Sequence, residues 1–183
     1  MIFENIRYGI AKVLLRRKAK KVKREKMLFD FASAKYVGIL CSPQNEADTA
    51  LIKEFLHNIS QKGIKYLVLG YFDGKSIPEN FLYLKGIDFI TQQDINFLMK
   101  PNGEMIDKFI GEPFDILINC IIDSYFSVEY ISQLSIAKFK VGIMRDGESY
   151  YDLMIDISKE KTIKYFLNNL EIYLSNLRNP HLE

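Results

Sequence analysis

The stretch F-D-I-L-I-N-C-I-I at residues 114–122 decides the fold class, because seven of its nine residues are apolar. Apolar side chains on both sides of a strand predict burial of both faces, as in a parallel sheet covered by helices. Two earlier runs have the same character, K-Y-V-G-I-L-C at 35–41 and I-K-Y-L-V-L-G-Y-F at 64–72. The three runs together predict the centre of a parallel sheet.

Helical patterns alternate with these runs along the chain. Apolar residues spaced by three and four predict helices at 51–59, 103–111, 128–134 and 159–177. Further strands are predicted at 86–91, 138–144 and 151–157. This alternation predicts an α/β fold, a three-layer sandwich with a mostly parallel open sheet in the order 3-2-1-4-5 plus an edge strand.

The dipeptide Asp146-Gly147 separates the last two predicted strands. Asp-Gly is a frequent turn in β-hairpins, where it joins antiparallel neighbours. If these two strands form such a hairpin, the edge strand runs antiparallel to the strand before it and the sheet ends in a mixed edge.

The chain of 183 residues is long enough for one domain with a full core. We assign the α/β domain to residues 34–178, a basic amphipathic helical arm to 1–33 and a tail to 179–183. The two cysteines, Cys41 and Cys120, lie in apolar runs, which favours buried thiols in a cytoplasmic protein over a disulfide framework.

Charge is divided sharply between the arm and the rest of the chain. Residues 1–27 carry ten Lys and Arg against two Glu, a net charge of +8, whereas the remaining residues carry 15 basic and 21 acidic side chains, a net charge of −6. Such a division favours an arm that binds a polyanion or an acidic protein surface. The candidate polyanion-binding residues are Arg16, Arg17, Lys18, Lys20, Lys21, Lys23, Arg24 and Lys26.

The function that we expect first is a non-enzymatic binding module that presents its basic helix to RNA or to a partner protein, ahead of a membrane surface. Four interpretations of the arm remain open. Its cations could contact the phosphates of a structured RNA, such as ribosomal RNA. Its apolar stripe of Phe3, Ile6, Ile10, Val13 and Leu14 could pack on a partner protein or a second copy, or could enter a membrane interface beside the cations. The structural alternative is a helix that buries this stripe on its own domain and leaves the basic side in water.

Ligands of open parallel sheets bind at the carboxyl ends of the strands. The candidate ligand-binding residues there are Ser42, Asn45, Asp73, Asn119, Asp123 and Ser124. The same residue types also cap helices and shape turns, so a purely structural role is the alternative. If the crevice does bind a ligand, the protein is a small-molecule or nucleotide-sugar enzyme or sensor.

Several conventional sites are excluded by their missing motifs. The loop after the first strand, S-P-Q-N-E-A-D at 42–48, has no G-x-G-x-x-G, and the chain has no P-loop. Two histidines and no C-x-x-C leave nothing for a Ser-His-Asp triad or a His/Cys metal site. We therefore predict no cofactor, no metal and no catalytic residue, and leave enzymatic activity open.

Several phrases resemble an uncharacterised bacterial family, a domain of unknown function with a Rossmann-like α/β sandwich. Besides the basic N-terminal helix, they are Y-V-G-I-L (36–40), F-I-G-E-P-F-D-I-L-I-N (109–119), S-I-A-K-F-K-V-G-I (135–143) and Y-D-L-M-I-D-I (151–157). The resemblance implies this fold and a cytoplasmic bacterial setting, and it implies no activity. The alternation is also similar to one half of a two-domain nucleotide-sugar glycosyltransferase, at the level of fold alone.

Overall fold

A computed structural model describes residues 2–81, 86–147 and 150–177, without the side chains of residues 2, 3 and 80. In these ranges the chain forms five α-helices and six β-strands, joined in places by single 3₁₀ turns. In chain order they are α1 (Ile2–Ala19), β1 (Tyr36–Cys41), α2 (Glu46–Gln61), β2 (Lys65–Tyr71), β3 (Ile87–Ile90), α3 (Glu104–Gly111), β4 (Ile116–Asn119), α4 (Phe126–Leu134), β5 (Phe139–Ile143), β6 (Leu153–Ile155) and α5 (Ile163–Asn176).

The six strands form one parallel sheet in the order β3-β2-β1-β4-β5-β6. The predicted order and the predicted edge strand are confirmed. Strands are added in one direction from β1 to β3 and in the opposite direction from β4 to β6. The switch point lies between the parallel neighbours β1 and β4, where Val37 pairs with Ile116 and Leu40 with Asn119. The strongest apolar run thus becomes a central strand, and all four residues of β4 are buried.

The antiparallel edge expected from Asp146-Gly147 is wrong. Strand β6 runs parallel to β5, with Val141 opposite Leu153 and Ile143 opposite Ile155. Gly147 does form a turn with a positive φ of 76°. That turn lies inside a connection of nine residues, 144–152, between the carboxyl end of β5 and the amino end of its parallel neighbour β6. A local turn signal identifies the turn but does not fix the direction of the strand that follows.

Helices cover both faces of the sheet. On one face, α2 and α5 pack on Val37, Ile39 and Cys41 of β1 and on alternate residues of the other strands. On the opposite face, α3 and α4 pack on a second cluster that includes Leu40 and Phe114. Both cysteines are buried and free, and the Cys120 thiol donates to the Leu40 carbonyl at 3.1 Å. The expectation of buried core thiols is confirmed.

The N-terminal segment packs first on the α3/α4 side of the sheet and then on the α2/α5 side. Helix α1 lies outside α4, where Ala11 and Leu15 are buried against Phe126 and Tyr130. After α1, residues 22–30 have no regular secondary structure and pass the amino ends of β5 and β6. Phe29 and Phe31 then enter the core beneath α2 and α5. The segment assigned to the arm therefore supplies part of the hydrophobic core, and its basic run is helical only as far as Ala19.

Gly38 in β1 allows a close approach between the central sheet and an aromatic cluster. A Cβ atom at this position would lie 2.6–2.8 Å from three carbons of the Phe114 ring. Phe114 is fully buried and lies between the rings of Tyr36 and Phe109, at centroid distances of 4.9 and 5.0 Å. The ring therefore has no space into which it could retreat.

We predict that Gly38→Ala lowers the free energy of unfolding by about 1–3 kcal/mol, because the core must shift to admit one methyl group. Gly9→Ala is the matched control, since a Cβ there meets no atom within 4 Å and Gly9 lies inside α1. The control should stabilise the protein by about 0.5–1 kcal/mol through helix propensity. Urea titration measures both changes, and a neutral Gly38→Ala would contradict the packing argument.

Candidate functional site

A cavity of about 490 Å³ opens at the carboxyl ends of the strands on the α3/α4 side of the sheet. Four chain segments enclose it: α1, the end of β2, the turn after β3 and the start of α4. Of the six candidate ligand-binding residues, Asp73 and Ser124 line this cavity. The structure thus brings together one residue that follows β2 and one that follows β4.

Asp73 is held in place by two donors. Its Oδ1 accepts hydrogen bonds from the Tyr71 hydroxyl at 3.3 Å and from Gln92 Nε2 at 3.0 Å. Burial raises the pKa of Tyr71 to about 12, with the Asp73 carboxylate adding to the rise, so this hydroxyl keeps its proton throughout the neutral range. Asp73 is itself exposed, and its carboxylate can accept further hydrogen bonds from the cavity.

The other four candidates make local contacts in the structure. Asn45 caps α2 by accepting from the Asp48 amide at 2.8 Å, and buried Ser42 accepts from Gln44 Nε2 at 2.9 Å. Asn119, also buried, donates to the Tyr151 hydroxyl at 2.6 Å and accepts from the Ile121 amide. The backbone carbonyl of Asp123 accepts from Arg145 at 3.2 Å. These are contacts of the kind expected from the structural alternative: Asn45 caps a helix, Ser42 and Asn119 lie in the core, and Asp123 belongs to a turn.

Ten residues that line the cavity were not predicted from the sequence, and two of them, Arg7 and Tyr8, belong to α1. The Arg7 guanidinium lies 5.5 Å from the centroid of the Phe97 ring. Its Nε is the one buried side-chain N or O atom in the described part of the chain that has no hydrogen-bond partner. No local signal marks these residues, since their place depends on how α1 lies across α4.

Helix α1 docks through a mixed side rather than through its most apolar one. Besides Ala11 and Leu15, the docked side carries Tyr8, whose ring meets Phe126 edge-on at 5.8 Å, and Lys12, which forms an ion pair with Glu129 of α4. Lys18 donates to the Tyr130 hydroxyl at 3.1 Å. Polar partners on α4 thus select the side of α1 that is buried.

The predicted apolar stripe is exposed as a consequence. Ile6, Ile10, Val13 and Leu14 are 40–54% exposed and lie on the side of α1 away from the docked residues. The side chain of Phe3, the first residue of the stripe, lies outside the described residues. The interpretation in which α1 buries this stripe on its own domain is wrong for the four residues that the structure describes.

The candidate polyanion-binding residues divide into two groups. Arg24 is bound within the fold, since its two terminal nitrogens donate to Asp152 at 2.6 and 2.7 Å and one of them also reaches the carbonyls of Ala137 and Lys138. Lys26 lies 3.3 Å from the same aspartate with its side chain 70% exposed, and Lys18 contacts Tyr130. The other five candidates are exposed: Arg16, Arg17, Lys20, Lys21 and Lys23.

A buried lysine lies beneath the segment that carries these cations. Lys140 of β5 is 2% exposed, and its Nζ donates to the carbonyls of Ser132 and Gln133 at the end of α4, at 2.8 and 3.2 Å. Burial, with a smaller contribution from the charge of Arg24, lowers its pKa to about 7. Lys140 lines a second cavity, of about 590 Å³, together with Lys23, Arg24 and Lys26.

Comparison with known proteins assigns the chain to a family. A family model described as "Family of unknown function (DUF6913)" matches residues 7–177. The match covers nearly the whole chain and confirms the resemblance to a domain-of-unknown-function family. No curated protein matches the chain.

We predict that the stability of the protein rises with pH between about 7 and 9.5 because of Lys140. The unfolded chain keeps the proton of this lysine up to its ordinary pKa of 10.5, whereas the folded protein releases it near pH 7. In this window the unfolded state binds more protons, so one such group adds about 1.4 kcal/mol per pH unit to the free energy of unfolding.

Urea titrations at several pH values test this slope. Lys140→Met should remove most of it, because the buried side chain no longer titrates. Lys161→Met, at an exposed position before α5, should keep it. If Lys140→Met and the parent protein show the same pH dependence, Lys140 is not the titrating group.

Proposed function

Because the chain belongs to DUF6913, a family of unknown function, we propose a function from its own surfaces: a non-enzymatic binding module that docks through α1 and the following basic segment on an anionic membrane surface. The observation that carries the proposal is a run of exposed side chains along α1 and the residues just after it, in which aliphatic residues come first and cations follow. We call it the α1 docking surface. Its residues are Ile6, Ile10, Val13, Leu14, Arg16, Arg17, Lys20, Lys21 and Lys23.

The apolar half supports a lipid environment. Four aliphatic side chains lie exposed on one side of a helix whose other side is already packed on α4. The helix is therefore positioned before it binds, and docking would bury side chains that are now in water without unpacking the domain. An amphipathic helix that lies in the membrane interface inserts its apolar side to a depth of about 5–10 Å.

The basic half supports an anionic lipid surface. Five exposed cations follow the aliphatic residues, two in the last turn of α1 and three in the four residues after it. Each Lys or Arg near an anionic bilayer contributes about 1 kcal/mol, so the five together would add about 5 kcal/mol to the insertion of the four aliphatic side chains. No helix in the described ranges is long and apolar enough to cross a membrane.

RNA and a second copy of the chain fit this surface less well. Phosphate contacts would use the five cations, but protein–nucleic acid interfaces are polar, and the aliphatic half would gain little there. A second copy would bring two clusters of like charge close together, and the segment 1–27 contains only Glu4 and Glu25 to offset them. Binding to RNA, to an acidic protein or to a second copy stays a prediction and forms an outcome of the test.

The expected cytoplasmic location is part of the proposal. Two free buried thiols favour a reducing compartment. The cytoplasmic leaflet is also the one that carries anionic lipid, which the basic half requires. We expect the protein to divide between the cytoplasm and the inner surface of the membrane.

We predict that the full chain cosediments with vesicles that contain phosphatidylglycerol and not with vesicles of phosphatidylcholine alone, and that added salt weakens the binding. Ile6→Gln with Ile10→Gln should reduce binding by removing inserted apolar area. Replacing Arg16, Arg17, Lys20 and Lys21 with Gln should weaken it by at least about 100-fold, since about 1 kcal/mol is lost per cation.

Matched controls are available on α5. Ile172 is 57% exposed, and Lys161 and Lys164 are exposed cations near the start of that helix. Ile172→Gln and the pair Lys161→Gln and Lys164→Gln should leave vesicle binding unchanged. Binding to a structured RNA without binding to vesicles would contradict the membrane proposal. A dimer that dissociates on Ile10→Gln would contradict it in favour of self-association.

A further inference from the structure

The cavity beneath α1 is a second candidate site, separate from the α1 docking surface. It is lined by Arg7 and Tyr8 on the inner side of α1, and its other walls come from the ends of the parallel strands. A volume of about 490 Å³ lies in the range of sites that bind small molecules. The carboxyl ends of the strands are also where open parallel sheets bind their ligands.

Arg7 supplies the strongest indication of an anionic ligand. Its Nε is buried and has no acceptor among the described residues, which is unfavourable for a charged donor unless a bound group supplies one. The guanidinium lies 5.5 Å from the centroid of the Phe97 ring. A guanidinium donates to phosphate in a fixed, often bidentate geometry.

The start of α4 adds further donors to the same cavity. Tyr125, at the N-cap of this nine-residue helix, makes no side-chain capping bond, and Ser124 to Ser127 line the cavity. The amides of a first helical turn bind phosphate well. They reinforce the indication from Arg7, on which the inference rests.

Asp73 restricts the ligand further, because it brings a negative charge to the same cavity. A simple anion would satisfy Arg7 and be repelled by this carboxylate. The hydrogen bonds that Asp73 accepts from described residues use Oδ1, which leaves Oδ2 for a ligand hydroxyl. Aromatic rings of Tyr8, Tyr125 and Phe126 offer apolar surface to the body of such a ligand.

We infer that this cavity binds a small phosphorylated sugar, with the phosphate on Arg7 and the sugar hydroxyls on Asp73. This site lies on the inner side of α1, so the inference does not rest on the proposed membrane docking. The ligand would satisfy an orphaned buried donor and an exposed acceptor at once. A phosphate or a sugar alone would satisfy only one of them.

Isothermal titration calorimetry on the full chain with ribose 5-phosphate, ribose and inorganic phosphate tests the inference. Ribose 5-phosphate should bind more tightly than either fragment. Arg7→Met should weaken ribose 5-phosphate by at least about tenfold, the effect of losing a hydrogen bond to a charged group. Lys164→Met, at an exposed cation of α5 outside both proposed sites, is the control and should bind as the parent protein does.

Asp73→Asn separates the two halves of the site. Since Asp73 is exposed, this variant should fold, lose affinity for ribose 5-phosphate and keep or gain affinity for inorganic phosphate. The inference is overturned if ribose 5-phosphate does not bind, or if Arg7→Met binds it as tightly as the parent. Equal weakening of both probes by Asp73→Asn also overturns it. The Ile6→Gln and Ile10→Gln variant should bind ribose 5-phosphate normally, which keeps this result distinct from the vesicle experiment.

Discussion

A parallel sheet with apolar strands must be covered on both faces, and this constraint determines the position of every other segment. Helices α2 and α5 cover one face, and α3 and α4 cover the other. The short helix α4 leaves Phe126 and Tyr130 on its outer side, where Ala11 and Leu15 of α1 bury them. The chain then crosses to the first face and adds Phe29 and Phe31 to that core. The N-terminal segment thus completes both layers.

The sequence is sufficient to predict the strands and their order, because runs such as 114–122 are apolar on both sides and short connections restrict the topology. It is insufficient for the direction of β6, since Asp146-Gly147 specifies a turn and not the path of the chain after it. It is also insufficient for the orientation of α1. The apolar stripe of α1 is exposed, because the opposite side of the helix is docked on α4. On that side Lys12 forms an ion pair with Glu129, and the Tyr8 ring packs on Phe126.

The candidate site follows the same division. Asp73 and Ser124 could be found from the sequence because their position at strand ends follows from topology alone. Arg7 and Tyr8 could not, because they reach the cavity through a contact between two helices that are far apart in the sequence. When the packing of one helix on another brings a residue to a site, no spacing pattern in the sequence predicts its place there. Asn45 and Asn119 show the converse, since a polar residue at a strand end can instead cap a helix or lie in the core.

The pair of Arg24 and Asp152 has a consequence for the order of folding. It joins residues 128 positions apart, and it fixes the segment that leads to Phe29 and Phe31. During synthesis the N-terminal segment emerges first, yet its place between the layers exists only after β6 has formed. Long-range closure of this kind is slow. We expect these two aromatic rings to stay in water until β6 and α5 have formed, and the amides around them to be protected last. Pulse-labelling hydrogen exchange would contradict this order if those amides were protected early.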